Sequence, residues 1–470
     1  MAKRRRRPVI AARPASAPPS PEHSSAESPD QAHPSAPRAA RLWLLGLTSL
    51  AFVLLYFSNP KPAAYFDYTY RIAGEFLHGR LGTAETPPSW LNEMVRVGQR
   101  HYTAFPLGAV LTMVPLALLG RAGLVHEFPG AIVVATLASL TTVVFFGLSA
   151  RFADSLPRRL LLSMWPIFGT WAWCNLSYAG AWQIALGVAM VAEAGALYFT
   201  LVSRRPFWAG VCFAVAFGNR TEILLTAPLF LYLLIRPEGE TASNAAEAPR
   251  ALRQRAPGKE FPQPLLRSRL AGGVSVLLHA LKKRWGDAVW FVVIPCALGE
   301  CTLIYNYARF ASITDFGYAR IPGVLSEPWY RYGIFSLHAI PANAEKMIWE
   351  LWGRVNRFPY FVPSAWGGSI FLSSPLLLLL FRWRARDRGL QIACWTAIVV
   401  LTFVLWCHGN TGGLQYSYRY AMVLVPWMFI VLQANGRPRL GAVEAVLLFL
   451  SFAMNAWATY LYHRTPYLRW

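Results

Sequence analysis

Long apolar runs, separated by clusters of arginine, constrain the fold of this chain more than any other feature. The sequence is 55% hydrophobic and only 14% charged, whereas a soluble domain carries about 25% charged residues. A helix of about 20 apolar residues can cross the roughly 30 Å of hydrocarbon in a bilayer. The sequence therefore predicts an all-α, polytopic membrane protein.

The net charge of +22 raises the question of a nucleic-acid partner. The basic residues lie between the apolar runs and not on one continuous soluble face, which argues against such a partner. Lysine and arginine beside membrane spans instead fix the orientation of those spans and contact anionic lipid. We therefore expect membrane lipid as a partner and no nucleic acid.

Eleven apolar segments are candidate membrane spans, although several are close to the lower limit of length. Basic clusters such as the one over 382–388 should all lie in the cytoplasm. This requirement places the N-terminus inside and the C-terminus outside. The candidate spans are 42–58, 129–150, 160–176, 182–202, 206–218, 222–235, 288–308, 366–381, 389–407, 420–434 and 441–461.

The segment 106–120 is apolar but short, and it contains Pro106 and Pro115. If this segment crossed the membrane, later basic clusters would fall on the wrong side. We therefore expect it to lie in the interface or to re-enter the membrane. The prediction is then about 11 transmembrane helices, or 12 if 106–120 spans.

This topology divides the chain into a tail and a membrane domain. Residues 1–41 are basic and rich in proline, a composition that cannot bury a core and predicts disorder. The membrane domain covers 42–470, with outer loops at 59–128 and 309–365 and a cytoplasmic loop at 236–287. The bias toward arginine over lysine and toward alanine and proline favours a GC-rich bacterium, and hence a multi-pass inner-membrane protein.

The first outer loop concentrates acidic side chains in a chain that has only 23 Asp and Glu. Asp67 follows the first span closely, and a carboxylate there is costly unless it is solvated, paired or bound to a cation. It could act as the general base for a hydroxyl group, or it could simply pair with Arg71. Glu75 lies on the same face of a predicted interfacial helix, where a structural or solvated role is favoured.

A divalent cation is a further possibility in this loop. His101, together with Glu85, Glu93 or Asp67, offers side chains that can ligate such an ion. No tight ligand spacing supports a metal site, so the possibility stays open.

Several arginines reach the predicted outer side from different spans. Arg220 could bind a phosphate through bidentate hydrogen bonds, or it could pair locally with Glu222. The later outer loops add further basic and aromatic side chains, which could bind a lipid phosphate or only anchor the interface. These residues are Arg309, Arg320, Tyr418 and Arg419.

The second outer loop is rich in aromatic side chains, among them Trp329, Tyr332, Trp349 and Trp352. These side chains could cover a site or stack on sugar rings. An aromatic belt at the membrane interface explains them equally well.

Five motifs follow one another along the chain. They are F-D-Y-T-Y-R-I-A-G-E-F-L at 66–77, H-Y-T-A-F-P-L-G at 101–108, F-G-N-R-T-E-I-L-L at 217–225, Y-N-Y-A-R-F-A-S-I-T-D-F-G-Y at 305–318 and G-G-L-Q-Y-S-Y-R-Y at 412–420. In this order they resemble the motifs of GT-C-type membrane glycosyltransferases. That group includes protein O-mannosyltransferases of glycosyltransferase family 39 and bacterial aminoarabinose transferases.

The resemblance implies that Asp67 is a catalytic base and that the donor is a sugar on polyprenyl phosphate. It implies inverting transfer to a glycan, lipid or protein acceptor at the outer face of the membrane. One departure from the family pattern is that only Glu93 is available as a second acidic group before the H-Y-T-A-F-P segment.

Three other functions stay open at this stage. A transporter or flippase of lipid-linked glycan would need charged groups within the spans, and only Glu193, Glu300 and Glu444 lie there. A polymerase or ligase of surface polysaccharide would share the donor. A non-catalytic membrane subunit would not need Asp67.

Overall fold

The computed structural model describes residues 35–152, 154–236, 282, 284–382, 387–413 and 415–466. Most of the predicted tail and most of the predicted cytoplasmic loop at 236–287 therefore lie outside the described residues. The chain forms two units, Met1–Leu42 and Trp43–Trp470. Everything below concerns the second unit, apart from the described start of the first helix.

The described residues are mostly helical, as the apolar runs predict. We number the helices in chain order. They are α1 Ser35–Ser58, α2 Tyr68–Phe76, α3 Leu107–Leu111, α4 Val114–Arg121, α5 Gly130–Leu148, α6 Leu156–Phe168, α7 Ala172–Leu176, α8 Ala181–Leu201, α9 Pro206–Asn219, α10 Ala227–Ile235, α11 Trp285–Phe310, α12 Ile340–Ile348, α13 Ile370–Ser373, α14 Arg388–Cys407, α15 Val425–Asn435 and α16 Ala442–Arg464.

Within the described ranges, six helices are long and apolar enough to cross a membrane. They lie in Ala39–Ser58, Gly130–Arg151, Ala181–Leu201, Trp285–Phe310, Arg388–Cys407 and Ala442–Arg464. The chain is thus a multi-pass membrane protein. The prediction of about eleven crossings depends on the shorter helices and stays a prediction.

Several predicted spans are not single helices. The segment 160–176 contains the end of α6 and all of α7, with Pro166 inside α6. Segments of 3-10 helix at Thr221–Thr226, Pro375–Phe381 and Arg419–Leu424 occupy parts of three other predicted spans. Hydropathy detects the apolar run but not the change in backbone geometry within it.

The segment 106–120 forms α3 and α4, and α3 packs closely on α9. A Cβ atom added to Gly108 would lie 2.5 Å from the backbone of Gly218, so this contact requires glycine. The Thr112 hydroxyl and the Asn219 side chain are hydrogen-bonded next to it. Fifteen residues of helix span only about 22 Å, and whether this segment crosses the membrane stays a prediction.

Two short antiparallel hairpins lie outside the helices. In the first, β1 (Met94–Val97) pairs with β2 (Arg100–Thr103), with Met94 opposite Thr103. In the second, β3 (Gly353–Arg354) pairs with β4 (Phe361–Val362), with Arg354 opposite Phe361.

The core lies where α8, α9, α10, α11 and α15 meet. Its largest side chains are aromatic, and they include Phe213, Phe230, Phe291 and Trp427. Phe230 contacts Phe291 and Trp427 at ring distances of 5.8 and 5.3 Å. Through these contacts the N-terminal parts of α11 and α15 pack on α10.

A buried ionic network lies at one end of the bundle, around Arg158 of α6. Its Nη1 donates to Asp154 and, at 2.7 Å, to Gln433, and its Nη2 donates to Glu444 at 2.8 Å. Arg158 is fully buried. This network ties α6 to the far end of α15 and to the start of α16.

Candidate functional site

Asp67 lies at the start of α2, and its position is set by aromatic packing. The Phe66 ring packs on Trp182 at 5.2 Å, and the Phe66 carbonyl accepts the Ala181 N–H at 2.8 Å. Asp67 is 8% exposed. Its Oδ1 accepts a hydrogen bond from Arg71 Nε at 2.8 Å. The local pairing that the sequence offered as an alternative is therefore present.

Glu93 lies next to the same aromatic group. Its Oε2 accepts a hydrogen bond from Trp182 Nε1 at 2.8 Å, and its backbone N–H donates to the Tyr68 hydroxyl at 3.4 Å. Burial raises the pKa of Glu93 to about 7, while the Trp182 hydrogen bond and the charge of Arg419 act in the opposite direction. Glu93 therefore carries a carboxyl group that titrates near neutral pH.

Tyr68 follows Asp67 in the chain and accepts the hydrogen bond from the Glu93 backbone N–H. Burial raises the pKa of Tyr68, and the negative charges of Glu93 and Asp67 raise it further. Its hydroxyl donates to Asn92 Oδ1 at 3.0 Å and stays protonated at neutral pH. Asp67 and Glu93 thus both lie close enough to Tyr68 to influence its pKa.

Arg220 and Arg419 converge on the ring of Tyr420. The guanidinium carbons lie 5.0 Å and 5.2 Å from the centre of that ring. Arg220 also donates from Nε and Nη2 to Glu222 Oε1 at 2.8 and 2.7 Å. The sequence predicted that both arginines reach one side of the membrane, and the structure places them on the same tyrosine.

Arg419 is 7% exposed. Its Nη1 donates to the Gly413 carbonyl at 3.0 Å, and its Nη2 contacts the Tyr420 hydroxyl at 3.4 Å. Within the part of the chain that the structure describes, Arg419 Nε has no hydrogen-bond partner. A buried cationic donor without a partner is costly, so an anionic ligand would be stabilised here.

His408 and two tyrosines complete this group. His408 Nδ1 lies 2.6 Å from the Asn410 carbonyl, and the ring contacts Tyr420 at 5.6 Å. Burial lowers the pKa of His408, and the positive charges of Arg220 and Arg419 lower it further. The hydroxyl groups of Tyr318 and Tyr330 are 2.7 Å apart beside it.

Sequence reasoning did not single out Trp182 and Tyr318 as site residues. Trp182 lies in an ordinary apolar run, and its sequence carries no signal of its contact with Glu93. Tyr318 is the last residue of the Y-N-Y-A-R-F-A-S-I-T-D-F-G-Y motif. The motif was therefore the signal by which Tyr318 could have been found.

Three other predicted site residues are occupied by contacts within the protein. Arg309 donates to the Thr103 carbonyl at 2.5 Å and to Asn306 Oδ1 at 2.8 Å. Arg320 pairs with Asp315 at 2.6 Å. The buried Tyr418 hydroxyl donates to the Leu405 carbonyl at 3.0 Å. Their roles at a donor site stay predictions.

The remaining candidates lie in the first loop. Glu75 pairs with Arg80 at 2.5 Å. His101 lies on β2, where its backbone pairs with Thr83, and its Nδ1 has no hydrogen-bond partner among the described residues. In the described part of the chain, no group of three or more His, Cys, Asp or Glu side chains is placed to hold a metal ion. The metal hypothesis therefore rests on the sequence alone.

No family model matches the sequence, and no curated protein matches it either. Among solved structures, the chain is similar to the archaeal oligosaccharyltransferase AglB from Archaeoglobus fulgidus, solved in complex with an inhibitory peptide and a dolichol-phosphate. The identity is 14% and the TM-score is 0.40, over 90% of this chain and 55% of that chain. This chain thus spans about half the length of AglB. The proposal below rests on the motifs and on the site.

Proposed function

We propose that the protein transfers a sugar from a polyprenyl-phosphate donor to an acceptor hydroxyl, with inversion, at the outer face of the membrane. The observation that carries the proposal is the convergence of the half-buried Arg220 and the buried Arg419 on Tyr420. A lipid phosphate needs cationic donors at the membrane boundary, and guanidinium groups form charge-assisted hydrogen bonds with phosphate oxygens. The motif order described above supplies the donor class.

In this mechanism the acceptor oxygen attacks the anomeric carbon of the sugar. The acceptor proton passes to the Asp67 carboxylate, where Arg71 holds Oδ1 and Oδ2 takes the proton. The bond between the anomeric carbon and the phosphate oxygen breaks, and the phosphate leaves with the electron pair. The transition state carries positive charge on the sugar and negative charge on the leaving oxygen.

Arg419 and Arg220 stabilise the leaving phosphate. Arg419 has a buried Nε without a partner in the described residues, and an oxygen of the phosphate satisfies it. Arg220 contributes a positive charge that Glu222 holds in place. Arg309 or Arg320 would add positive charge as a helper, although both already have internal partners at distances of 2.5 to 2.8 Å.

Glu93 is the second carboxyl group of the site. Its hydrogen bond with Trp182, on which Phe66 also packs, and the influence of Arg419 on its pKa support a role in the same site. It orients the acceptor through a hydrogen bond. No step of this scheme requires a metal ion.

The test is a transfer assay with purified protein in liposomes, a panel of radiolabelled polyprenyl-phosphate sugars and a mixed acceptor extract. General-base catalysis contributes roughly 10²–10⁴-fold, so Asp67→Asn should lower donor turnover by about that factor. Glu345→Gln, which alters an exposed carboxylate on α12, should turn over the donor at the wild-type rate.

Two outcomes would overturn the proposal. Turnover by Asp67→Asn at the wild-type rate would remove Asp67 from the mechanism. Movement of labelled lipid across the bilayer without consumption of any donor would identify a flippase instead.

A further inference from the structure

The β3–β4 hairpin and its base expose a cluster of large apolar side chains. Five large side chains at its tip and base are each more than half exposed, and all of them are apolar or aromatic. They are Trp349 at 73%, Leu351 at 69%, Phe358 at 65%, Tyr360 at 56% and Phe361 at 56%. Exposed apolar groups of this size mark a surface that contacts a partner or a membrane.

The hairpin is an ordered part of the protein and not a loose loop. Its turn is closed by hydrogen bonds from Val355 N–H to the Tyr360 carbonyl and from Tyr360 N–H to the Arg357 carbonyl, both 2.8 Å. At its base, Trp352 packs on the buried Tyr416 at 6.3 Å. The exposed aromatic side chains are therefore held in place from beneath.

A contact with α16 fixes the level of the tip relative to the membrane. The Phe358 ring lies 6.1 Å from the ring of Trp457, which is itself stacked on Tyr460 at 5.5 Å. Helix α16 is one of the six candidate membrane spans and ends at Arg464. Trp457 lies seven residues, or about 10 Å, before that end. Phe358 is thus at the depth of the outermost turns of a membrane-spanning helix.

The charges around the tip match a lipid leaflet. Arg354 and Arg357 are exposed beside the aromatic side chains, and arginine at this depth extends its charged group to the phosphate layer. Tryptophan and tyrosine, represented here by Trp457 and Tyr460, are enriched at this boundary. A soluble partner would not reach this level without displacing lipid.

We propose that the tip of the β3–β4 hairpin, residues 355–361, inserts into the lipid leaflet beside the end of α16. The aromatic side chains enter the hydrocarbon boundary, and the two arginines bind lipid phosphates. This places a second membrane anchor on the loop that follows α11, independent of the spanning helices. The inference does not depend on the proposed enzymatic activity.

The experiment measures the depth of a nitroxide label in the full-length protein. The cysteines that are not buried, namely Cys212, Cys296, Cys301 and Cys407, are replaced by alanine, and Phe358→Cys is labelled. The protein is reconstituted in vesicles of phosphatidylcholine and phosphatidylglycerol. Collision of the label with oxygen, which partitions into hydrocarbon, is compared with collision with a water-soluble nickel chelate.

The first hairpin provides a matched control. Its tip residue Gln99 is exposed and polar, so a label at Gln99→Cys should collide mainly with the nickel chelate. The label at Phe358→Cys should show a severalfold preference for oxygen. Phe361→Cys tests the same tip if the first substitution disturbs the contact with Trp457.

Three results would overturn the proposal. The first is a nickel accessibility at residues 358 and 361 equal to that at residue 99. The second is broadening of the spectrum by spin–spin coupling, which would show that a second copy of the chain covers the tip. The third is a label shielded from both reagents, which would show that protein covers it.

Discussion

Two buried arginines near opposite ends of α15 differ in how their hydrogen bonds are satisfied. At its far end, Gln433 accepts a hydrogen bond from Arg158 at 2.7 Å, and Glu444 and Asp154 balance the charge. At its near end, Arg419 has no carboxylate in direct contact among the described residues, and its Nε has no hydrogen-bond partner there. Both side chains are less than a tenth exposed.

This difference separates a structural arginine from one that can bind a ligand. A buried charge is tolerated when partners in the protein satisfy it, as at Arg158. A buried arginine with an N–H that has no acceptor retains part of its desolvation cost until it binds an anion. Arg158 and Arg419 are similar in burial, and only their hydrogen-bond partners distinguish them.

The largest expected effect is on stability at the Arg158 end. Arg158→Ala leaves Asp154 and Glu444 buried without their counter-charge, and removing one partner of such a network costs about 3–5 kcal/mol. We expect the midpoint of thermal unfolding in detergent to fall strongly. Arg419→Ala should change the free energy of unfolding by no more than about 1 kcal/mol, because it leaves no directly paired carboxylate behind.

Thermal unfolding of these two variants tests whether the two arginines differ in role. Equal losses of thermal stability in Arg158→Ala and Arg419→Ala would mean that Arg419 is also a structural residue. The absence of a partner for Arg419 Nε among the described residues would then not indicate a ligand site.

The second expected effect is on donor turnover and occurs only at the Arg419 end. Removing one preorganised donor that stabilises developing charge costs about 10²–10³-fold in rate. Arg419→Ala should lose that much turnover in the liposome assay. Arg331, exposed at the same end of the bundle, provides the control, and Arg331→Ala should stay within about twofold of wild type.

A binding readout makes this prediction independent of the chemical step. Polyprenyl phosphate should raise the thermal midpoint of the wild type, since a ligand that binds only the folded state stabilises it. The midpoint of Arg419→Ala should not respond. An unchanged response in this variant would place the phosphate elsewhere.

The sequence predicted the long helices well because apolar runs and membrane spans are linked directly. It could not predict the partners of the arginines. Arg158 and Glu444 are 286 residues apart, and Arg158 lies in one of the basic regions that flank the apolar runs. Its position next to an apolar run carries no sign of the buried carboxylates that it contacts.

The candidate site shows the same limit. The G-G-L-Q-Y-S-Y-R-Y motif identifies Arg419 and Tyr420 as neighbours, and the F-G-N-R-T-E motif identifies Arg220 and Glu222. That both guanidinium groups lie on one tyrosine ring depends on how the segment after α9 and the 3-10 segment before α15 are brought together in the fold. The position of Glu93 beside Trp182 depends in turn on the packing of the first loop against α8.

The last prediction concerns the pH dependence of stability that Glu93 causes. It tests whether the positive charge of Arg419 influences the pKa of Glu93. The pKa of Glu93 is raised to about 7 in the folded state, from 4.5. Between these two pKa values, Glu93 is deprotonated in the unfolded chain and protonated in the folded protein. The free energy of unfolding therefore falls as pH rises through this range. One pKa unit corresponds to about 1.4 kcal/mol, so the contribution is at most about 3.5 kcal/mol.

Thermal midpoints of wild type and Glu93→Gln between pH 4 and 8 measure this contribution. The thermal midpoint of the wild type should fall as pH rises, and Glu93→Gln should lack this fall. The upper pH limit of the fall should lie near 7. Because the positive charge of Arg419 lowers the pKa of Glu93, Arg419→Gln should move that limit to higher pH. Arg158→Ala, at the other end of α15, should leave it unchanged. A limit that does not move in Arg419→Gln would show that the arginine and the carboxyl group do not share one site.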